Sequence, residues 1–402
     1  MQDLQAKPFR RHVFFVSGFD PRGVLFLQKN CATETERWSQ LTGYPVKMGA
    51  RKSIGKLAKA WPINAELPNG KVQTDFEFMQ WDDIIREHWE RRNWMVYLQS
   101  VAGTFNLIRN GVYGHAIRES WPISVVMSVP TGVVIGHVLS ALLLLGGIAL
   151  LVAGGVAGIL IGILLMAAAA AISLYIHANA DRFKPEWNAR IGLFAEKLAT
   201  GRVDKIHQRL DDFADHIIAT IDREQPDEAL IIGHSFGTSL ASILASRILA
   251  KRPDLGQEGS KLALVTLGQT QVLMARNPDA QWFRDELSRF AAFPDFTWLD
   301  FSSPPDGACY ALINVLDFLD APPKNVPRLL NAQFHKLFSE ERMTAARQDR
   351  MIMHFYYLMS PDIPQPDTNI FDFMTLIAGP EPAAARYGKR PSGTAFFSKA
   401  RR

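Results

Sequence analysis

Cysteine is nearly missing from this sequence: Cys31 and Cys309 are the only two in 402 residues. They form no CxxC pair and no zinc-type spacing, so a disulfide framework and a structural zinc site are both excluded. Each is read as a buried thiol. An excess of one charge is also missing, since the net charge is only +4 and is spread along the chain. That leaves no basic footprint, and no nucleic-acid partner is expected. The most informative absence is local. From Ser120 through Ala180 there is no Asp, Glu, Lys or Arg, and His137 and His177 are the only side chains there that titrate near neutrality.

The rest has the makings of a folded protein. With 48% hydrophobic and 21% charged residues the chain can bury a full core and is neither disordered nor fibrous. Lys7, Arg10 and Arg11 precede only a short apolar run, too short for a signal peptide, so the globular part is expected not to be exported. A bilayer core takes about 20 apolar residues per helix, and Pro122–Ile176 has length for two helices but not three. A transmembrane hairpin follows, with helices near 122–145 and 148–173 and a turn at Gly146-Gly147, or failing that at Gly154-Gly155. His137 is expected to face the partner helix. Arg109 and Arg118 flank one end, and Arg182, Lys184 and Arg190 the other, which puts both flanks in the cytoplasm. The expected setting is a bacterial inner membrane with the soluble domain on the cytoplasmic side, and the bilayer is the expected partner.

Outside that segment strands and helices alternate. Val13–Val16 is a short apolar run breaking into Ser17-Gly18, and Thr74–Gln80 alternates polar and apolar residues as a strand does. Ile206, Leu210, Phe213, Ile217 and Ile221 recur at helical spacing. Then come strand Ala229–Ile232, a helical face through Leu240, Ile243, Leu244 and Ile248, and strands at 262–267 and 296–301 around a helix at 281–290. This order predicts an α/β fold, a mostly parallel sheet with helices on both faces and the site at the carboxyl ends of the strands. Residues 1–120 and 178–378 would form one discontinuous domain, 121–177 the hairpin and 379–402 an unstructured basic tail.

Between strand and helix stands Gly233-His234-Ser235-Phe236-Gly237. A serine hydroxyl is a weak nucleophile until a sharp turn exposes it beside a base and an anion-stabilising pair of amides. The two glycines permit such a turn, and the following helix aims its positive end at Ser235.

The motif in this context resembles the nucleophile elbow of the α/β-hydrolase superfamily, in its lipase and esterase branch. The resemblance covers the first strand and about 203–358, and implies a serine hydrolase cleaving carboxylic esters, lipid esters above all, through an acyl-enzyme and without a cofactor or metal. It also implies the order serine, acid, histidine. Only His335 and His354 follow Ser235. His354, ahead of Phe355-Tyr356-Tyr357, is similar to the late His-x-x-Tyr of many lipases and is the preferred base. His335 lies in 332–338, which reads as a strand, and is the alternative. For the acid, Asp306 in a Pro/Gly loop after a strand resembles the lipase pattern, with Asp300 inside the strand as alternative. The resemblance assigns the oxyanion amides to Phe236 and to the loop Ser17-Gly18-Phe19, with Phe19 preferred over Gly18. Two departures stand out: Ser17 replaces a common histidine, and the usual leading antiparallel strands are missing before Val13. On this resemblance the hairpin insertion would replace a lid.

A competing reading is a catalytically silent hydrolase fold acting as a membrane scaffold or binding module. A transporter subunit would need polar pore-lining groups, and only His137 offers one. The stretch Gly49–Leu57 has one residue too many between its glycines for a phosphate loop and lacks the hydroxyl that binds magnesium. Asp82, Asp83 and His88 are expected to cap a helix or pair with arginines rather than hold a metal.

Overall fold

The computed structural model describes residues 7–255, 261–294, 296–319, 322–364 and 370–395. Among the described residues nine strands form one sheet: β1 (Phe9–Val16), β2 (Val46–Met48), β3 (Lys52–Ile54), β4 (Ala58–Leu67), β5 (Gly70–Met79), β6 (Glu228–His234), β7 (Lys261–Leu267), β8 (Thr297–Ser302) and β9 (Arg328–Asn331). The order is β2-β4-β5-β1-β6-β7-β8-β9, with β3 beside β4. From β5 to β9 every neighbouring pair is parallel, while β2, β3 and β5 run antiparallel to β4. The expected mostly parallel sheet is therefore present. Its antiparallel margin, made by β2, β3 and β4, follows β1 in the chain.

Helices cover both faces. In chain order they are α1 (Gly23–Thr42), α2 (Asp82–His88), α3 (Asn93–Arg109), α4 (Val112–Glu119), α5 (Trp121–Ala153), α6 (Gly155–Phe183), α7 (Pro185–Ala199), α8 (Asp204–Glu224) and α9 (Gly237–Lys251). After these come α10 (Gln271–Ala275), α11 (Gln281–Ala291), α12 (Phe334–Leu337), α13 (Glu340–Gln348), α14 (Arg350–Phe355), α15 (Phe373–Ala378) and α16 (Ala383–Tyr387). Alternation along β1 divides the core. Phe14 and Val16 pack with α7, α8, α9 and α11, while Val13 and Phe15 pack with α1, α15 and α16. Strands before and after the apolar insertion share the sheet because β1 pairs directly with β6. The chain turns to β5 on one side of β1 and to β6 on the other, so the carboxyl ends of β1 and β6 form a switch-point crevice.

The two apolar helices α5 and α6 are long enough to cross a membrane and fit a hairpin. Two expectations about them need correcting. The turn is at Gly154, where a Cβ would lie 2.7 Å from the Leu150 carbonyl; Gly147 instead sits mid-helix, where a Cβ would meet the Gly162 carbonyl at 2.8 Å. The glycines that looked like a turn let two helices touch. His137 is exposed and its Nδ1 bonds the Val133 carbonyl of its own helix at 2.8 Å, so it does not face α6. Contact between the helices is made by Ser140, whose hydroxyl lies 2.8 Å from both the Ala169 carbonyl and the Ser173 hydroxyl.

The carboxyl-terminal expectation also changes. Residues 379–395 are structured, since α16 lies there with Tyr387 buried. Arg11, buried under the sheet, donates to the carbonyls of Gly379 and Glu381 at 2.8 and 2.7 Å and pairs with Glu228 at 2.6 Å. A buried guanidinium needs its donors satisfied, and this segment supplies acceptors that composition could not reveal. Residues 396–402 lie outside the described residues.

Candidate active site

β6 ends at His234, and Ser235 follows with φ of 56°, in the left-handed region. A non-glycine residue held there costs of order 1–3 kcal/mol, and the neighbours enforce it. A Cβ on Gly233 would lie 2.7 Å from the Gly237 carbonyl oxygen, and one on Gly237 would collide with the carbonyls of Val16 and Ser17. Only glycines let strand, turn and helix pack this closely. The Ser235 N–H donates to the Leu267 carbonyl at 2.9 Å, and the Thr238 hydroxyl donates to the Ser235 carbonyl at 2.6 Å.

The loop after β1 lies against this serine. A Cβ on Gly18 would be 2.9 Å from Ser235 Cβ and 3.3 Å from Ser235 Oγ. The Phe19 and Phe236 rings both pack on Phe194 of α7, stacked at 4.5 Å and edge-on at 5.4 Å. Their backbone N–H groups make no hydrogen bond among the described residues. Two aromatic anchors on one ring therefore fix two free amide donors.

His354, at the end of α14, is buried, and its Nδ1 lies 2.8 Å from Asp306 Oδ2. A carboxylate only accepts, so Nδ1 is assigned the proton and Nε2 keeps its lone pair. The other Asp306 oxygen accepts the Ala308 N–H at 3.0 Å. Burial pushes the Asp306 carboxyl up, but the His354 imidazole and the hydrogen bonds around it outweigh that and hold it below its ordinary value. Ser235 and His354 line one cavity with Gly18 and Phe19. No hydrogen bond joins Ser235 Oγ to His354 among those described.

The alternatives lie elsewhere. Asp300 is buried in β8, accepting from Thr266 Oγ1 at 2.7 Å and Ser302 Oγ at 3.1 Å, and burial pushes its carboxyl up to about 7. His335 is not in a strand. It is exposed on α12, whose Phe334 and Leu337 turn inward, so the apolar spacing read as β was one helical turn.

Two supporting residues escaped the sequence reading. His234 Nε2 lies 2.9 Å from the His354 carbonyl, and burial together with the nearby His354 lowers its pKa to about 3. It is therefore neutral and donates, tying the His354 segment to the end of β6. The Tyr357 hydroxyl accepts the Ser303 N–H at 2.9 Å, pinning the strand end that leads to Asp306. The signals were present, as the variable residue of the elbow and the tyrosine of His-x-x-Tyr, but neither spacing says what the side chain touches.

At the opposite end of the sheet, His12, Asp75 and Glu224 bring possible metal-ligand atoms within 4.8 Å of one another. Both His12 nitrogens are already committed, to Glu224 at 3.1 Å and Glu77 at 3.0 Å, and Glu77 also holds His216 at 2.7 Å. Burial alone would lower the His12 pKa, but hydrogen bonds to the two glutamates raise it from 6.5 to about 9. Burial alone would raise Glu77, but His12 and His216 bring it down to about 2. The group is a buried ion-pair network. Because the folded His12 pKa lies above the unfolded one, its stabilisation is complete below about pH 6.5 and is lost as pH rises through about 9. The expected contribution is about 3 kcal/mol. Denaturation of wild type and His12→Gln across that range should show the difference between them shrinking with pH. A constant difference would refute the ion pair, and sensitivity of wild type to a chelator would reveal a metal instead. The other carboxylates singled out by sequence pair as expected, Asp82 with Arg86 at 2.6 Å and Asp83 with Arg209 at 2.7 Å.

No curated protein and no solved structure matches the chain. Residues 175–289 match a family model, a stretch that carries the elbow but stops before Asp306 and His354. That family is lipase (class 3), so the stretch from the end of the second apolar helix to α11 is similar to a class 3 lipase.

Proposed function

We propose that the protein is a membrane-anchored serine hydrolase that cleaves carboxylic esters of lipids. Ser235 attacks the ester carbonyl while His354 Nε2 takes its proton. Asp306 orients the imidazole and stabilises its cation, and the amides of Phe236 and Phe19 receive the oxyanion. His354 then returns the proton to the departing alcohol, and a water activated by the same imidazole releases the acid and restores Ser235. The observation that carries this reading is the buried His354–Asp306 pair, 2.8 Å apart, opening onto the cavity that holds the strained Ser235. The family match supports lipid ester hydrolysis. The hairpin α5–α6 is the anchor, and the cations flanking it favour a cytoplasmic site.

The second reading, a silent scaffold, draws on the missing hydrogen bond between Ser235 and His354. A fluorophosphonate probe separates the two, because it reacts only with an activated serine. Adduct formation at Ser235 in the detergent-solubilised protein, located by mass spectrometry and lost in Ser235→Ala, is the expected result. A folded wild type that stays unlabelled would leave the scaffold.

A further inference from the structure

The helix α3 has no acidic residue, and Trp94, Leu98, Val101, Phe105 and Ile108 follow one another at helical spacing along it. All five are exposed, Leu98 to 65% and Phe105 to 64%. A continuous apolar stripe of this length facing water is rare in a soluble surface. It belongs beside the hairpin: the Thr104 hydroxyl lies 2.7 Å from that of Thr131 on α5, and Thr131 reaches the Ser100 carbonyl. Exposed Arg91 and Arg92 precede the stripe and exposed Arg109 ends it, placed for lipid phosphates.

The opposite side of α3 does something different. Gly103 and Leu107 line the cavity that holds Ser235 and His354, and so do Val126 and Met127 on the first turns of α5. The start of α5 also touches the acid loop, where a Cβ on Gly307 would lie 3.6 Å from Pro122. The apolar cavity therefore runs from the serine to the base of the hairpin, and one helix separates it from the surface that the stripe exposes.

We infer that α3 lies in the membrane interface beside the hairpin, and that the channel it walls with α5 receives the acyl chain of a bilayer lipid. This inference rests on the hydrolase reading above. A chain drawn in sideways keeps its methylenes out of water throughout its transfer. The ester then arrives at Ser235 while the head group remains at the interface.

Full-length protein in phosphatidylcholine–phosphatidylglycerol vesicles tests it through two ratios, so that a general loss of folded enzyme cancels. The first compares kcat/KM for p-nitrophenyl palmitate with that for the butyrate. Met127→Trp, which fills the channel, should lower this ratio by about tenfold or more, and Met127→Ala should not lower it. The second compares a vesicle-embedded long-chain ester with soluble butyrate. Leu98→Glu with Phe105→Glu should lower that ratio by about tenfold, because charge on the lipid-facing side opposes insertion. If wild type labels at Ser235 but either ratio stays put, the channel inference falls and the hydrolase stands. If wild type does not label, both fall.

Discussion

Ser235→Ala is expected to reduce ester hydrolysis by about four to six orders of magnitude, close to the rate left by binding and oxyanion stabilisation alone. The size follows from the role. Without Oγ no acyl-enzyme forms, and the His354–Asp306 pair has no proton to take. The fold should be nearly unaffected, because alanine in the same turn pays the same cost for a φ of 56° and loses only the hydroxyl. Steady-state hydrolysis of a soluble ester, measured beside the thermal midpoint, checks both statements. Near-wild-type turnover in the variant would remove the serine mechanism altogether.

What could be read from sequence divides along physical lines. The elbow was legible because strand, tight turn and helix impose local demands: apolar run, two glycines, amphipathic run. The pair of long apolar helices was legible because no Asp, Glu, Lys or Arg interrupts residues 120–180. The parallel character of the sheet was legible from β-α alternation, but the order of its strands was not. The turn of the hairpin was misread because Gly146-Gly147 and Gly154-Gly155 are equivalent as local sequence, and only packing against Gly162 distinguishes them. His335 was misread for a related reason, since a four-residue helix is too short to display a period of 3.6. The tail from Gly379 gave no sign of its place because its contacts with Arg11 and Glu228 span more than 150 residues and appear in no local pattern. Least legible of all was α3, whose stripe is regular but whose two faces acquire separate meanings only when α5 lies beside it.

Asp306→Asn should lower turnover by about 10⁴-fold, while Asp300→Asn should leave it near wild type, and the contrast follows from what surrounds each carboxyl. Asp306 is held ionised below its ordinary value beside His354, so its charge is present to stabilise the imidazolium formed during reaction. An amide there has no charge to offer. If its NH₂ faces Nδ1, the imidazole adopts the wrong tautomer and presents a proton to Ser235 where a lone pair is needed. Asp300, with its carboxyl pushed up to about 7 and only the hydroxyls of Thr266 and Ser302 as partners, is nearly neutral already at moderate pH. An amide of the same shape keeps one acceptor oxygen and turns the other bond around, its NH₂ donating to a hydroxyl oxygen, and it relieves the penalty of ionising a buried acid as pH rises, so Asp300→Asn should be the more stable protein at alkaline pH. Measuring kcat/KM and the denaturation midpoint for both variants, at pH 6 and pH 8.5, gives eight numbers that must move together in this way. A large loss of turnover in Asp300→Asn with Asp306→Asn active would exchange their roles, and would mean that His354 turns toward β8 when substrate binds.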